Sequence, residues 1–136
     1  MAASKPVPPP DAYRRAAELR GALRRFLRQS DAVTRRHGLT TQRYELLLMA
    51  KTARSGEGRA TLSELAERLA LAPSSITELV ARSETLGLVR RELHPSNRRA
   101  VFVALTPEGE RRLSLAVDEL AGERARLADV IAHSGG

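Results

Sequence analysis

The chain has no cysteine and no tryptophan, little aromatic character, and only two lysines, Lys5 and Lys51. Without thiols it forms no disulfide, senses no oxidant through a thiolate and holds no Cys-ligated zinc. His37, His94 and His133 are widely spaced and make no HxxxH or HxxE pair, so no metal site is expected. Aromatic residues make up 3%, namely Tyr13, Phe26, Tyr44 and Phe102. Single-stranded nucleic acids are held by stacking on several aromatics, so this scarcity points away from them. The longest strongly apolar run, Leu46 to Ala50, is far too short to cross a bilayer. No Gly-rich phosphate loop, G-x-S-x-G elbow or paired-carboxylate motif occurs, so no catalytic residue and no cofactor are expected.

What is present is positive charge. The 136 residues carry 23 Lys and Arg against 16 Asp and Glu, a formal charge of +7. Such an excess attracts polyanions, although arginine-rich composition alone leaves nucleic-acid binding an even choice. The location of the charge has to decide. The length fits one domain with its own core.

Residues 1–10 (MAASKPVPPP) read as a disordered, proline-rich tail without the apolar core of a signal peptide. The chain is expected to be cytoplasmic and to have no membrane partner. Asp11 is placed as the N-cap of a helix over 11–37 whose inward stripe is Ala16, Leu19, Leu23, Phe26, Ser30 and Val33. The arginines around that stripe read first as a solvated face. Gly38 ends this helix, and Thr40 opens the next, with Leu39 and Tyr44 in staple positions.

A T-x-x-E capping box at Thr61–Glu64 begins a short helix, and Pro73 suits the first turn of another over about 73–86. Ile76, Leu79, Val80 and Leu86 are its expected inward face. The period then changes to two. Leu88-Val89 and Val101-Phe102-Val103 predict a hairpin over about 88–105. Thr106-Pro107-Glu108 starts a final helix over 107–133 with the stripe Leu113, Val117, Leu120, Arg124, Leu127 and Ile131.

Two short helices joined by a tight turn and followed by a hairpin make a winged helix-turn-helix over 38–106, in a mainly α protein with a small β wing. The second helix would enter a major groove of double-stranded DNA. Its outward residues are Pro73, Ser74, Ser75, Thr77, Glu78 and Arg82, with Ser63 on the helix before it. The serines could equally be helix caps. In the hairpin Arg90, Arg91, Arg98 and Arg99 stand against Glu92 alone, placing positive charge where a wing meets DNA. The heptad-like stripes at either end of the chain either pair with a second copy, forming a dimerisation region, or pack within one monomer. The pairing residues would be Leu19, Leu23, Phe26, Leu113, Val117, Leu120, Leu127 and Ile131.

Residues 62–109 resemble the MarR family, the multiple-antibiotic-resistance-type regulators. The wing pattern D-x-R-x-x-x-V-x-L-T is matched by Asn97-Arg98-Arg99-Ala100-Val101-Phe102-Val103-Ala104-Leu105-Thr106, with asparagine for the aspartate. The L-x-E-L-A helix and the Gly87-Leu88-Val89 turn-in also match. The resemblance implies a homodimer that binds a pseudo-palindromic operator and regulates transcription, repression being the commoner outcome. It implies a minor-groove contact by Arg99, held by Asn97 in place of the family aspartate. His94 also stands where an aspartate is frequent. A small phenolic or aromatic-acid effector is a further implication, with His37, Arg43 and Tyr44 near its expected junction. The alternative is a non-specific, architectural DNA-binding protein driven by arginine–phosphate contacts.

Overall fold

The computed structural model describes residues 5–94, 96 and 100–134. In chain order the elements are α1 (Pro10–Arg36), α2 (Thr41–Lys51), β1 (Arg59–Thr61), α3 (Leu62–Leu69), α4 (Pro73–Thr85), β2 (Val89–Leu93), β3 (Val101–Leu105), α5 (Pro107–Glu119) and α6 (Ala121–Ser134). They form two compact units. One is Asp31–Glu119; the other joins the described residues before 31 to those from Leu120 onward.

The larger unit holds a helix-turn-helix and a three-stranded antiparallel sheet in the order β1-β3-β2. Leu46 and Leu47 of α2, Leu65 of α3, Ile76 and Val80 of α4, Leu88, Val103 of β3 and Leu113 of α5 are almost wholly removed from water. Burial of side chains of this size stabilises by about 1.5–3 kcal/mol each before entropy is counted. Each helix is apolar along one stripe only, so these contacts fix which way α4 turns its polar face.

Local signals set the ends. Thr40 Oγ1 accepts from Arg43 N at 3.2 Å and starts α2. Thr61 Oγ1 accepts from Glu64 N at 3.1 Å and starts α3. Only half of the expected capping box forms there. The Glu64 carboxylate instead accepts from Arg54 N at 3.0 Å and pairs with Arg68 at 3.3 Å. Arg68 also donates to the carbonyls of Met49 and Thr52, so the charge is drawn into a bridge between α2 and α3.

The end of α4 is tied to the wing. Gly87 adopts φ 74, a left-handed conformation that residues with a Cβ resist. Gly87 N then donates to Glu84 O and Leu88 N to Ser83 O, both at 2.9 Å. Thr106 N donates to Leu88 O at 3.1 Å, and Thr106 Oγ1 donates to Gly87 O while accepting from Gly109 N. Gly109 lies so close to the Leu88 carbonyl that a Cβ there would collide with backbone.

Further expectations change, among them Ala16 and Arg124, expected inward but exposed. Strand β1 was not anticipated: Arg-Ala-Thr is too short to show alternation, and only its pairing with β3, with Ala60 opposite Val103, makes it a strand. The final helix is two, α5 and α6, because a one-residue break at Leu120 leaves steps of three and four undisturbed. Asp11 lies inside the first turn of α1 and pairs with Arg14 at 3.0 Å; Pro10 begins the helix. Leu86, expected inward, is 49% exposed, because the chain leaves α4 at that residue to enter the Gly87 turn.

The turn between α3 and α4 places Ala70 at φ 53, a left-handed position that costs a non-glycine residue about 1–2 kcal/mol. Ala70→Gly is therefore expected to stabilise the fold by about 1 kcal/mol, less the added freedom of the unfolded chain. Denaturant unfolding at fixed protein concentration checks this; a lower midpoint would show that the turn does not strain Ala70.

Candidate nucleic-acid interface

The outward face of α4 begins without a cap. Its N-cap is Ala72, which has no side chain to satisfy the first-turn amides, and Pro73 follows. Ser74 and Ser75 are thus not the caps of this helix. The positive end of the α4 dipole and free first-turn N–H groups are left facing outward beside them. Pro73, Ser74, Ser75, Thr77, Glu78 and Arg82 are all exposed, as is Ser63 on α3. Thr77 Oγ1 donates back to Pro73 O at 2.9 Å, which leaves its lone pairs and methyl group outward. Arg82 and Glu78, one turn apart, form an ion pair at 3.2 Å. On the inner side Ser83 is fully buried and donates to Leu79 O at 2.8 Å.

The wing charges are less free than their number suggests. Successive residues of a strand point to opposite faces, so Arg90 and Arg91 diverge. Arg91 pairs with Glu84 of α4 at 3.5 Å. Arg90 donates to Glu92 at 2.7 Å and to Leu105 O at 3.1 Å. Arg59 and Arg90 both lie opposite Ala104, on either side of β3, and Arg59 meets the same Glu92 at 3.0 Å. The Glu92 carboxyl is held below its ordinary value, chiefly by the hydrogen bond from Arg90, which outweighs the upward push of burial; the Arg59 and Arg90 charges add to the lowering. It therefore stays ionised at neutral pH and offsets two arginines. Arg59 was not visible as a wing residue in the sequence, because β1 itself was not.

His94 packs on Phe102 with ring centroids 4.7 Å apart, and its Nδ1 accepts from Ser96 N at 3.0 Å. Its N–H also closes the hairpin on Ala100 O at 3.1 Å. It thus gives the end of the hairpin a ring contact. Asn97, Arg98 and Arg99 lie outside the described residues.

The three residues expected near an effector do not converge. His37 Nε2 meets Glu119 at 3.0 Å, beside Arg36 on the same carboxylate, and Tyr44 is buried. Arg43 alone lines a cleft of about 590 Å³, together with Asp31, Arg35, Thr40, Ser75 and Arg82. The Arg43 Nε is buried without a hydrogen-bond partner. Among the described residues no group of three or more His, Cys, Asp or Glu could hold a metal ion, and no helix is long and apolar enough to cross a membrane.

Of the residues placed in a pairing seam, Leu113 and Leu120 are buried within the single chain, and Val117 is half-buried. Leu19, Leu23, Phe26 and Leu127 are half-buried, and Ile131 is 50% exposed. No residue of α6 is buried.

Residues 37–100 match the family model of the MarR family. The chain is 31% identical over 84 residues to the HTH-type transcriptional repressor MdtR of Bacillus subtilis (strain 168), covering 62% of this chain and 51% of that protein. It is 48% identical over 44 residues to the transcriptional regulator HosA of Escherichia coli O111:H-, covering 32% of this chain and 33% of that one. The matched segments thus span a third to about half of these relatives. Among solved structures, the M. tuberculosis transcriptional regulator MOSR in complex with DNA aligns with a TM-score of 0.63 at 26% identity, covering 81% of this chain and 77% of that chain.

Since Glu92 occupies two arginines, Glu92→Gln is expected to release them. Affinity for duplex DNA should rise roughly severalfold, and the slope of log K against log salt should steepen by about one. An unchanged affinity and slope, read by fluorescence anisotropy across a salt series, would place Arg59 and Arg90 away from the DNA.

Proposed function

We infer from the match of residues 37–100 to the MarR family model that this chain is a transcriptional regulator of that family that binds double-stranded DNA sequence-specifically as a homodimer. The observation that carries the reading is the outer face of α4: an uncapped helix start followed by exposed Ser74, Ser75, Thr77, Glu78 and Arg82. A helix N-terminus with free amides suits a phosphate, and the side chains behind it suit base edges in a major groove. The hairpin then reaches the adjacent backbone or minor groove, with Arg99 as the proposed minor-groove residue and Arg98 and Asn97 beside it. No catalytic role is proposed, and the protein is placed in the cytoplasm.

Pairing of two copies is supported within the smaller unit. Tyr13, Leu27 and Ile131 expose large apolar surface, and no residue of α6 is fully buried in a single chain. Such a surface on a lone chain marks an interaction site. A two-fold dimer presents two α4 helices to successive major-groove faces, so its operator is a pseudo-palindrome with half-sites about one helical turn apart. Repression follows if that operator overlaps a promoter. The cleft lined by Arg35, Arg43 and Arg82, of which Arg35 and Arg82 pair with Asp31 and Glu78 of the same lining, is the proposed place of an anionic aromatic effector. It adjoins Ser75 and Glu78 on α4, where a bound acid would compete with DNA for Arg82.

Selection of bound sequences from a random duplex library at about physiological salt tests the central reading. A pseudo-palindromic motif is the expected result. Binding without a motif, vanishing steeply as salt rises, would establish the architectural alternative instead. Ile131→Glu, at a half-exposed position, should leave the fold intact, give a monomer by sedimentation and abolish tight binding to the full operator. A dimer that survives this change would displace the seam from α6. Arg99→Ala should weaken operator binding by about 1–3 kcal/mol with the dimer unchanged; full affinity in that variant would remove Arg99 from the contact set.

A further inference from the structure

The ion pair on α4 has a chemistry that its stability does not explain. Glu78 and Arg82 meet at 3.2 Å with both side chains 67% exposed. An exposed pair at this spacing adds little to a helix. On a DNA-facing helix a carboxylate is a liability, because phosphates and most major-groove atoms are negative or accepting. A base that offers it a donor, such as cytosine N4, offsets that cost.

Resting on the reading of α4 as the recognition helix, we propose that Glu78 and Arg82 act as one ion-paired fork that selects a C·G base pair in each half-site. The carboxylate accepts from cytosine N4, and the guanidinium donates to guanine O6 and N7. The fork presents an acceptor beside donors; a C·G pair presents a donor beside two acceptors. The two patterns are complementary in one orientation, so the cytosine is assigned to one strand. An A·T pair fits less well. Its N6 donor lies between thymine O4 and adenine N7, so the carboxylate is flanked by acceptors and the guanidinium loses its two-point contact. The ion pair persists in the complex, which leaves neither charge desolvated and alone. Ser75 lies on the same stripe, three residues before Glu78, and is free to hold the neighbouring phosphate or base.

The experiment is library selection repeated with Glu78→Gln. Glutamine keeps the shape of the side chain but pairs with adenine N6 and N7. The wild type is expected to recover a fixed C·G pair at one place in each half-site, and changing that pair to A·T should weaken it on the order of tenfold. Glu78→Gln should convert that position alone to A·T and leave the rest of the motif unchanged. Both residues are exposed, so the variant keeps its fold, which circular dichroism verifies. An identical motif from wild type and Glu78→Gln would overturn the fork and leave the pair as a surface feature, with the regulator reading intact. A wild-type selection with no motif would overturn both.

Discussion

The joint between α4 and the wing is the constraint on which the proposed DNA-facing surface depends. Leu88 is fully buried, and its backbone serves three elements at once. Its N–H closes α4 on Ser83 O, its carbonyl accepts from Thr106 N, and Gly109 at the start of α5 lies against that carbonyl. Thr106 ties the same spot a second time through Gly87 O. Buried backbone groups left unpaired would each cost about 1–3 kcal/mol, so the arrangement is cooperative: strand, helix end and helix start hold one another. The outer face of α4 and the face of β2 that carries Arg90 are thereby set at a fixed relation. Preorganisation of this kind lowers the entropy lost on binding.

Electrostatics qualify the first impression made by a charge of +7. Many arginines are engaged inside the molecule. Arg68 bridges α2 and α3, and Arg111 and Arg112 both bind Glu108, whose pKa their hydrogen bonds lower to about 2. Arg90 and Arg59 share Glu92, and Arg91 pairs with Glu84. A charge count therefore overstates the field available to a phosphate backbone. The uncapped start of α4 and the hydroxyls after it contribute without any formal charge. Specific recognition by a fold of this kind relies more on that placement than on the arginine total.

Helices α2, α3 and α4 were legible because each bears a repeating apolar stripe and a conventional start. Thr40, Thr61 and Pro73 stand where α2, α3 and α4 begin, since a capping hydroxyl or a first-turn proline acts within four residues. The exposed face of α4 followed from the same periodicity. His37, Arg43 and Tyr44 are near in sequence, but His37 is drawn to Glu119 and Tyr44 into the core, while Arg43 lines a cleft. Leu113 and Leu120 had the spacing of a pairing seam yet are closed off within one chain, because a stripe shows that a face is apolar and not what covers it.

The sequence by itself determined the elements governed by neighbours along the chain: the starts of α2, α3, α4 and α5, the hairpin strands, the glycine turn at 87 and the absence of thiol chemistry. Only the tertiary structure decided the rest. Strand β1 exists because β3 pairs with it, Glu92 is shared because Arg59 and Arg90 flank Ala104, and Arg43 joins Arg35 and Arg82 around one cleft. Local signals act through torsion angles and hydrogen bonds over a few residues, whereas these groupings join residues tens of positions apart, and only the packed core brings them within reach.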